Sequence, residues 1–246
     1  MDDELAEYAS RSEDLIQRSP AMDEANTKVR LIQPLISGLG WDVHSPEVEL
    51  EYPVRMGTGT MKVDYALVLE GSPAVFVEAK GCDTSLSETH RHQLWSYMQI
   101  IGVDWGLLTN GKRFEIFKRR PDSNSPDESI LGAFGIEELS EESRLLRVLS
   151  RESIISGESE RIAEHIERVQ AAMDMLQAER DDIAQDVVAV VTDRLDAQVS
   201  IEIEDDAKGF VDDLIESLEE YDPVIDHRED EWENTNVVNE PMDFWD

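Results

Sequence analysis

Three side chains on one short stretch, Asp64, Glu78 and Lys80, could together act on a phosphodiester. The stretch reads Lys62-Val-Asp64-Tyr-Ala-Leu-Val-Leu-Glu70-Gly-Ser-Pro-Ala-Val-Phe-Val-Glu78-Ala-Lys80. Two carboxylates make a minimal Mg²⁺ site, because Mg²⁺ binds through one or two carboxylates plus waters and phosphate oxygens. An ammonium beside them can orient or polarise a bound water and balance charge on the phosphate. That set of groups suits metal-assisted phosphodiester hydrolysis.

The chemistry depends on strands that bring the groups together. Val75-Phe76-Val77 is the apolar run expected of a strand buried on both faces. Glu78 and Lys80 end it and share a face, since residues i and i+2 of a strand do. A turn at Gly71-Ser72-Pro73 folds the preceding strand, Lys62 to Leu69, back so that Asp64 returns beside them. Asp64 and Glu78 share a face only if paired residue numbers sum to an even value. A two-residue turn at Gly71-Ser72 gives 143 and separates them, so the reading requires an even sum or a bulge that restores one. An acid two residues before a lysine arises by chance about 1.4 times at this composition. There are two instances, Glu78-Ala-Lys80 and Asp206-Ala-Lys208. Only the first ends an apolar strand; its plain alternative is a strand-end ion pair.

The surrounding pattern alternates helix and strand. Amphipathic helices are expected over about 3–18 and 22–38, with Pro34 kinking or breaking the second. Val48 to Tyr52 alternates as a strand, and His90 to Ile101 reads as a helix. Asp104 to Thr109 and Lys112 to Phe117 read as strands joined by the hairpin dipeptide Asn110-Gly111. Ser129 to Phe134 reads as a further strand. The expected fold is α/β: a mixed central sheet with flanking helices over 1–150, then a helical extension over 151–221. Residues 222–246 form an acidic tail, expected to be disordered. The stripes Ile162, Ile166, Val169, Met173, Leu176 and Ile183, Val187, Val190, Val191, Leu195 are expected to pair as a helical hairpin, with a homodimer through these helices as an extension of that reading.

Composition narrows the setting. The chain has 246 residues, 22 Lys+Arg, 56 Asp+Glu and a net charge of −34. The charge is −6 over residues 1–120 and −28 over 121–246, and only six of the basic residues are lysine. This argues against a generic basic nucleic-acid coat protein. It fits the hydrated carboxylate surface of a salt-in halophile, or an acidic half that mimics or repels DNA. One cysteine, an acidic N-terminus and no long apolar run point to a cytoplasmic protein with no membrane partner. Gly106 to Arg113 nearly spells a phosphate-binding loop but ends in arginine and continues as a strand, so no ATP site is expected. His90-Arg91-His92 reads as a solvated helix start rather than a zinc site.

Taken together, these residues resemble the PD-(D/E)xK nucleases, and in particular the N-terminal nuclease domain of type I restriction enzyme R subunits. The likeness spans about 20–120. It rests on Asp23-Glu-Ala-Asn-Thr-Lys-Val-Arg-Leu-Ile-Gln-Pro-Leu-Ile-Ser-Gly-Leu-Gly-Trp-Asp42, Glu51-Tyr-Pro-Val54, the Asp64…Glu78-Ala-Lys80 core, Gln93-Leu-Trp-Ser-Tyr97 and Trp105-Gly-Leu-Leu-Thr-Asn-Gly111. The resemblance implies Asp64 and Glu78 as metal ligands, Glu24 as the first acidic residue of the site, on metal or attacking water, and Lys80 as the catalytic lysine. Gln93 and Tyr97 are implied as DNA contacts. It implies Mg²⁺, with Mn²⁺ as a substitute, and DNA and other restriction or defence subunits as partners. The large ATP-driven motor of R subunits has no counterpart in this sequence. The function expected is Mg²⁺-dependent DNA cleavage; the alternatives are a non-cleaving DNA- or partner-binding module and an acidic interaction or DNA-mimic protein.

Overall fold

Turn chemistry and buried apolar runs set a six-stranded sheet in the order β1-β2-β3-β4-β5-β6. The computed structural model describes residues 2–120, 122–139, 142–194 and 203–219. Its strands are β1 (Val48–Met56), β2 (Gly59–Leu69), β3 (Ser72–Ala79), β4 (Trp105–Thr109), β5 (Arg113–Lys118) and β6 (Ile130–Gly135). β3 and β4 are parallel and every other neighbouring pair is antiparallel. The parallel step needs a crossover, which contains helix α4 (Glu88–Ile101). The mixed sheet with flanking helices is the architecture expected from the sequence.

The register at β2–β3 decides whether the two carboxylates meet. Glu70 (φ 50°) and Gly71 (φ 81°) form a two-residue turn with Leu69 opposite Ser72. Positive φ at both central positions matches the twist of a hairpin. Left alone, that register would set Asp64 and Glu78 on opposite faces. The pairing shifts between Leu67 and Val68, so Leu67 faces Val75, Ala66 faces Phe76 and Tyr65 faces Val77, an even sum of 142. Ala74 is the extra residue of this bulge. One step further along, Asp64 comes opposite Glu78, as the chemistry requires.

Strand β1 runs past Tyr52, where its alternating pattern ends, through Pro53 to Met56. Pro53 is tolerated because β1 is an edge strand, whose outer N–H groups need no partner in the sheet. The hairpin β4–β5 forms where Asn110-Gly111 places it, and the Asn110 carboxamide oxygen accepts from the N–H groups of Lys112 (3.0 Å) and Arg113 (2.9 Å).

Helix α1 (Asp2–Arg18) is followed by α2 (Glu24–Thr27), a π-helical segment (Lys28–Ile32) and α3 (Gln33–Gly38). The last three are one continuous run of helix. Pro34 has no N–H for the carbonyl of Arg30, four residues earlier. The turns ahead of it widen, and the Gln33 N–H donates to the Lys28 carbonyl five residues back. So Pro34 neither breaks nor stops the helix; a π segment absorbs it. Leu31, Ile32, Leu35 and Ile36 are fully buried. On one side of the sheet Val54, Phe76, Leu108 and Phe117 pack with Leu94, Tyr97 and Met98 of α4.

Gly111 (φ 81°) turns the chain directly against the Leu31 side chain, with no room for a Cβ. Gly111→Ala combines a strained φ with overpacking, and about 2 kcal/mol of destabilisation is expected in urea unfolding.

The chain divides into two compact units, residues 1–164 and 165–246. The first takes in α5 (Ser143–Arg147), α6 (Arg151–Ser156) and the start of α7 (Glu158–Ala178). Trp41 donates to the Leu149 carbonyl (3.0 Å), Arg151 pairs with Glu47 (2.7 Å) and Ser159 donates to the Val148 carbonyl (2.7 Å). The division therefore falls beyond the expected point near 150. In the second unit, α8 (Arg180–Arg194) lies along α9 (Ile203–Glu219), through Arg180–Asp212 and Lys208–Asp181 ion pairs. The expected hairpin between α7 and α8 does not form. The two helices meet at Glu179, whose N–H donates to Met175 (3.0 Å) and whose carbonyl accepts from Ile183 (2.9 Å). Helical hydrogen bonds thus carry across the joint, and α7 continues into α8 rather than folding back on it. Leu195 and the tail 222–246 lie outside the described residues.

Candidate active site

Strands β3 and β4 end side by side, and the Lys80 N–H donates to the Thr109 carbonyl (2.8 Å). The carboxyl ends of adjacent strands in an open α/β sheet are where such folds bind ligands. Glu78 lies there with its side chain 3% exposed. Its Oε1 accepts from Lys80 Nζ (2.7 Å) and from Gln93 Nε2 (2.8 Å), while its Oε2 is buried with no hydrogen-bond partner. Burial, reinforced by the negative charge of Asp64, pushes the Glu78 carboxyl up to about 7, against the pull of Lys80 and Lys28.

Asp64, on β2, is held at both oxygens. Oδ2 accepts from the Ala79 N–H (2.8 Å) and Oδ1 from Lys28 Nζ (2.6 Å). The backbone bond fixes the carboxylate over the end of β3, next to Glu78. Lys28 Nζ is also 2.6 Å from Glu24 Oε1, one turn back along the same helix. Burial lowers the tendency of this ammonium to stay charged, but its hydrogen bonds to Asp64 and Glu24 more than reverse that, and its pKa is raised.

The helix carrying Glu24 and Lys28 is tied to the chain just after Lys80. Asp23 caps it, accepting from the Asn26 N–H (2.8 Å). Thr27 Oγ1 donates to the Asp23 carbonyl (2.8 Å) and accepts from the Cys82 N–H (3.0 Å). Gly81 permits the approach: a Cβ there would lie 3.1 Å from the Glu24 nitrogen.

Gln93 and Tyr97 share one face of α4. The Gln93 amide spans from Glu78 to the Tyr97 hydroxyl (3.0 Å). Tyr97 is 1% exposed, so it offers DNA almost no surface. Its hydroxyl anchors the glutamine that donates to Glu78. Arg91, on the same helix, is not simply solvated. It makes two bonds, 2.8 and 2.7 Å, to the buried carboxylate of Glu115 on β5. Glu115 lies 24 residues away on another strand, so the pair leaves no local signal in the sequence.

The residues present suit a divalent ion held by Asp64 and Glu78. The buried, unpartnered Glu78 Oε2 is an acceptor awaiting a cation or donor, and two carboxylates suffice for Mg²⁺. Glu24, the third acidic residue expected at the site, faces Asp64 across the Lys28 ammonium. Among the described residues no group of three or more His, Cys, Asp or Glu side chains could hold a metal ion, and Lys28 stands between Glu24 and Asp64. Lys28 is the site residue that the motif missed; its spacing of four from Glu24 was the available signal.

Residues 24–129 match the family described as type I restriction enzyme R protein N terminus. No curated protein matches the chain. Among solved structures, the chain is similar to the type IIG restriction endonuclease BpuSI, with 18% identity and a TM-score of 0.33. That similarity covers 65% of this chain and 20% of BpuSI, so the chain spans about a fifth of that enzyme. The matched segment carries every strand of the sheet but β6, and all of Glu24, Asp64, Glu78, Lys80, Gln93 and Tyr97. The chain is thus similar, over residues 24–129 and less than half of its length, to the N terminus of type I restriction enzyme R proteins, and it carries that likeness on a mixed α/β sheet with flanking helices.

Proposed function

We propose that this chain is a Mg²⁺-dependent DNA endonuclease in which Asp64 and Glu78 hold the ion and Lys80 is the catalytic lysine. The observation that carries the reading is the pairing of a fixed Asp64 with a buried Glu78 whose second oxygen has no partner. Mg²⁺ bound there supplies Lewis-acid charge to a phosphodiester under attack. Gln93 and Lys80 occupy Glu78 Oε1, which leaves Oε2 to the ion. The Ala79 N–H keeps Asp64 in place when its other oxygen changes partner. Lys80 Nζ sets a positive charge beside the ligands, where an incoming phosphate gains negative charge, and can hold or release a proton at that atom. Other restriction or defence subunits are the partners that would bring this site to DNA, since the net charge of −34 opposes long-range attraction to phosphate.

A fluorescent duplex-cleavage assay tests the proposal, run with Mg²⁺, with Mn²⁺ and with EDTA, each at low and high KCl. Cleavage is expected with either metal and not with EDTA. A halophilic surface predicts more cleavage in high KCl. Equal signal with and without EDTA would sink the metal assignment.

A further inference from the structure

Lys28 has a place in the site that neither ligand binding nor helix stability accounts for. Its ammonium is 2.6 Å from Asp64 and 2.6 Å from Glu24, residues of two different elements, and its side chain is only 19% exposed. A simple i,i+4 surface pair needs neither the burial nor the second carboxylate. We infer that the Lys28 ammonium occupies the position of a second cation between Glu24 and Asp64, and so limits this site to one divalent ion. The inference rests on the reading of Asp64 and Glu78 as ligands, and it assigns Lys28 as a positioning residue.

Charge balance supports this assignment. Glu24, Asp64 and Glu78 contribute three negative charges, and Lys28 and Lys80 two positive ones. One divalent ion then leaves a single positive charge, which one phosphodiester neutralises. A second divalent ion would leave two further positive charges in a half-buried site, at a large electrostatic cost. Without Lys28, two divalent ions on the same carboxylates would leave a net charge of two positive, Lys80 included, instead of the three positive that they would leave with Lys28 in place. The ammonium thus does the work of a second metal in holding Glu24 against Asp64.

The test uses the full chain and Mn²⁺ alone, read by electron paramagnetic resonance, so that no cleavage activity is needed. Wild type is expected to bind one Mn²⁺ per chain with the spectrum of an isolated ion, even in excess Mn²⁺. Lys28→Met should bind two, with a spin-coupled signal, while Lys28→Arg, which keeps the charge, should bind one. Two coupled Mn²⁺ ions in wild type overturn the inference directly, whether or not the variants fold. An unchanged single ion in a folded Lys28→Met also overturns it. Failure of the underlying reading looks different: wild-type Mn²⁺ binding would then be absent, or indifferent to Asp64→Asn.

Discussion

Lys80→Ala is expected to slow cleavage by about two to four orders of magnitude while Mn²⁺ still binds, because a positioned proton-carrying group contributes on that scale. The geometry separates the two effects. Lys80 touches Glu78 through Oε1, whereas the oxygen without a partner is Oε2. Asp64, held by the Ala79 N–H, does not contact Lys80 in the described hydrogen bonds. Removing the ammonium also removes a charge that lowers the Glu78 pKa, so Glu78 in the variant keeps its proton to higher pH. The comparison is therefore made across a rising pH series, so that a shifted Glu78 ionisation is told apart from loss of the lysine. Mn²⁺ titration and single-turnover cleavage on the same samples give the two readings. Equal cleavage by wild type and Lys80→Ala would remove the lysine from the mechanism.

The second expectation concerns stability. Glu78 is pushed from an ordinary 4.5 up to about 7, first by burial and then by Asp64. Between these values the folded carboxyl keeps a proton that the unfolded chain has released. Stability therefore falls as pH rises from about 4.5 to 7, and the full penalty persists above 7. A shift of this size corresponds to a penalty on the order of 3 kcal/mol. Glu78→Gln cannot ionise, so in EDTA it should be the more stable protein at pH 8, and the gap should close toward pH 5. Urea unfolding of both proteins across that range measures it. A constant offset at every pH would mean that Glu78 is not desolvated as described.

The sequence carried the central pair because strand alternation and the ending of an apolar run are local signals. It could also state the parity that β2–β3 pairing had to satisfy. It could not say how the parity would be met, since the bulge at Ala74 is decided by the fit of a Glu70-Gly71 turn to its strands. Likewise, a proline at position 53 hid the second half of β1, because edge position is a property of the finished sheet. Lys28 was legible as a partner of Glu24 at four residues' spacing, but Asp64 lies 36 residues away and only the fold joins them. The spacing of Gln93 and Tyr97 put them on one helix face, but the burial of Tyr97 is set by the sheet beneath that helix and carries no local signal. The α7–α8 hairpin failed because apolar stripes report which face is buried and not where a chain turns, and helical hydrogen bonds through Glu179 carry one helix into the next.

The most direct test of the account is the Mg²⁺-dependent conversion of supercoiled plasmid to nicked and linear forms by wild type beside Asp64→Asn, with EDTA as the control. Asp64→Asn keeps the size and the acceptor for the Ala79 N–H but removes the negative charge. The account predicts conversion by wild type only with the metal, and none by Asp64→Asn under the same conditions. Conversion by Asp64→Asn at the wild-type rate would contradict it.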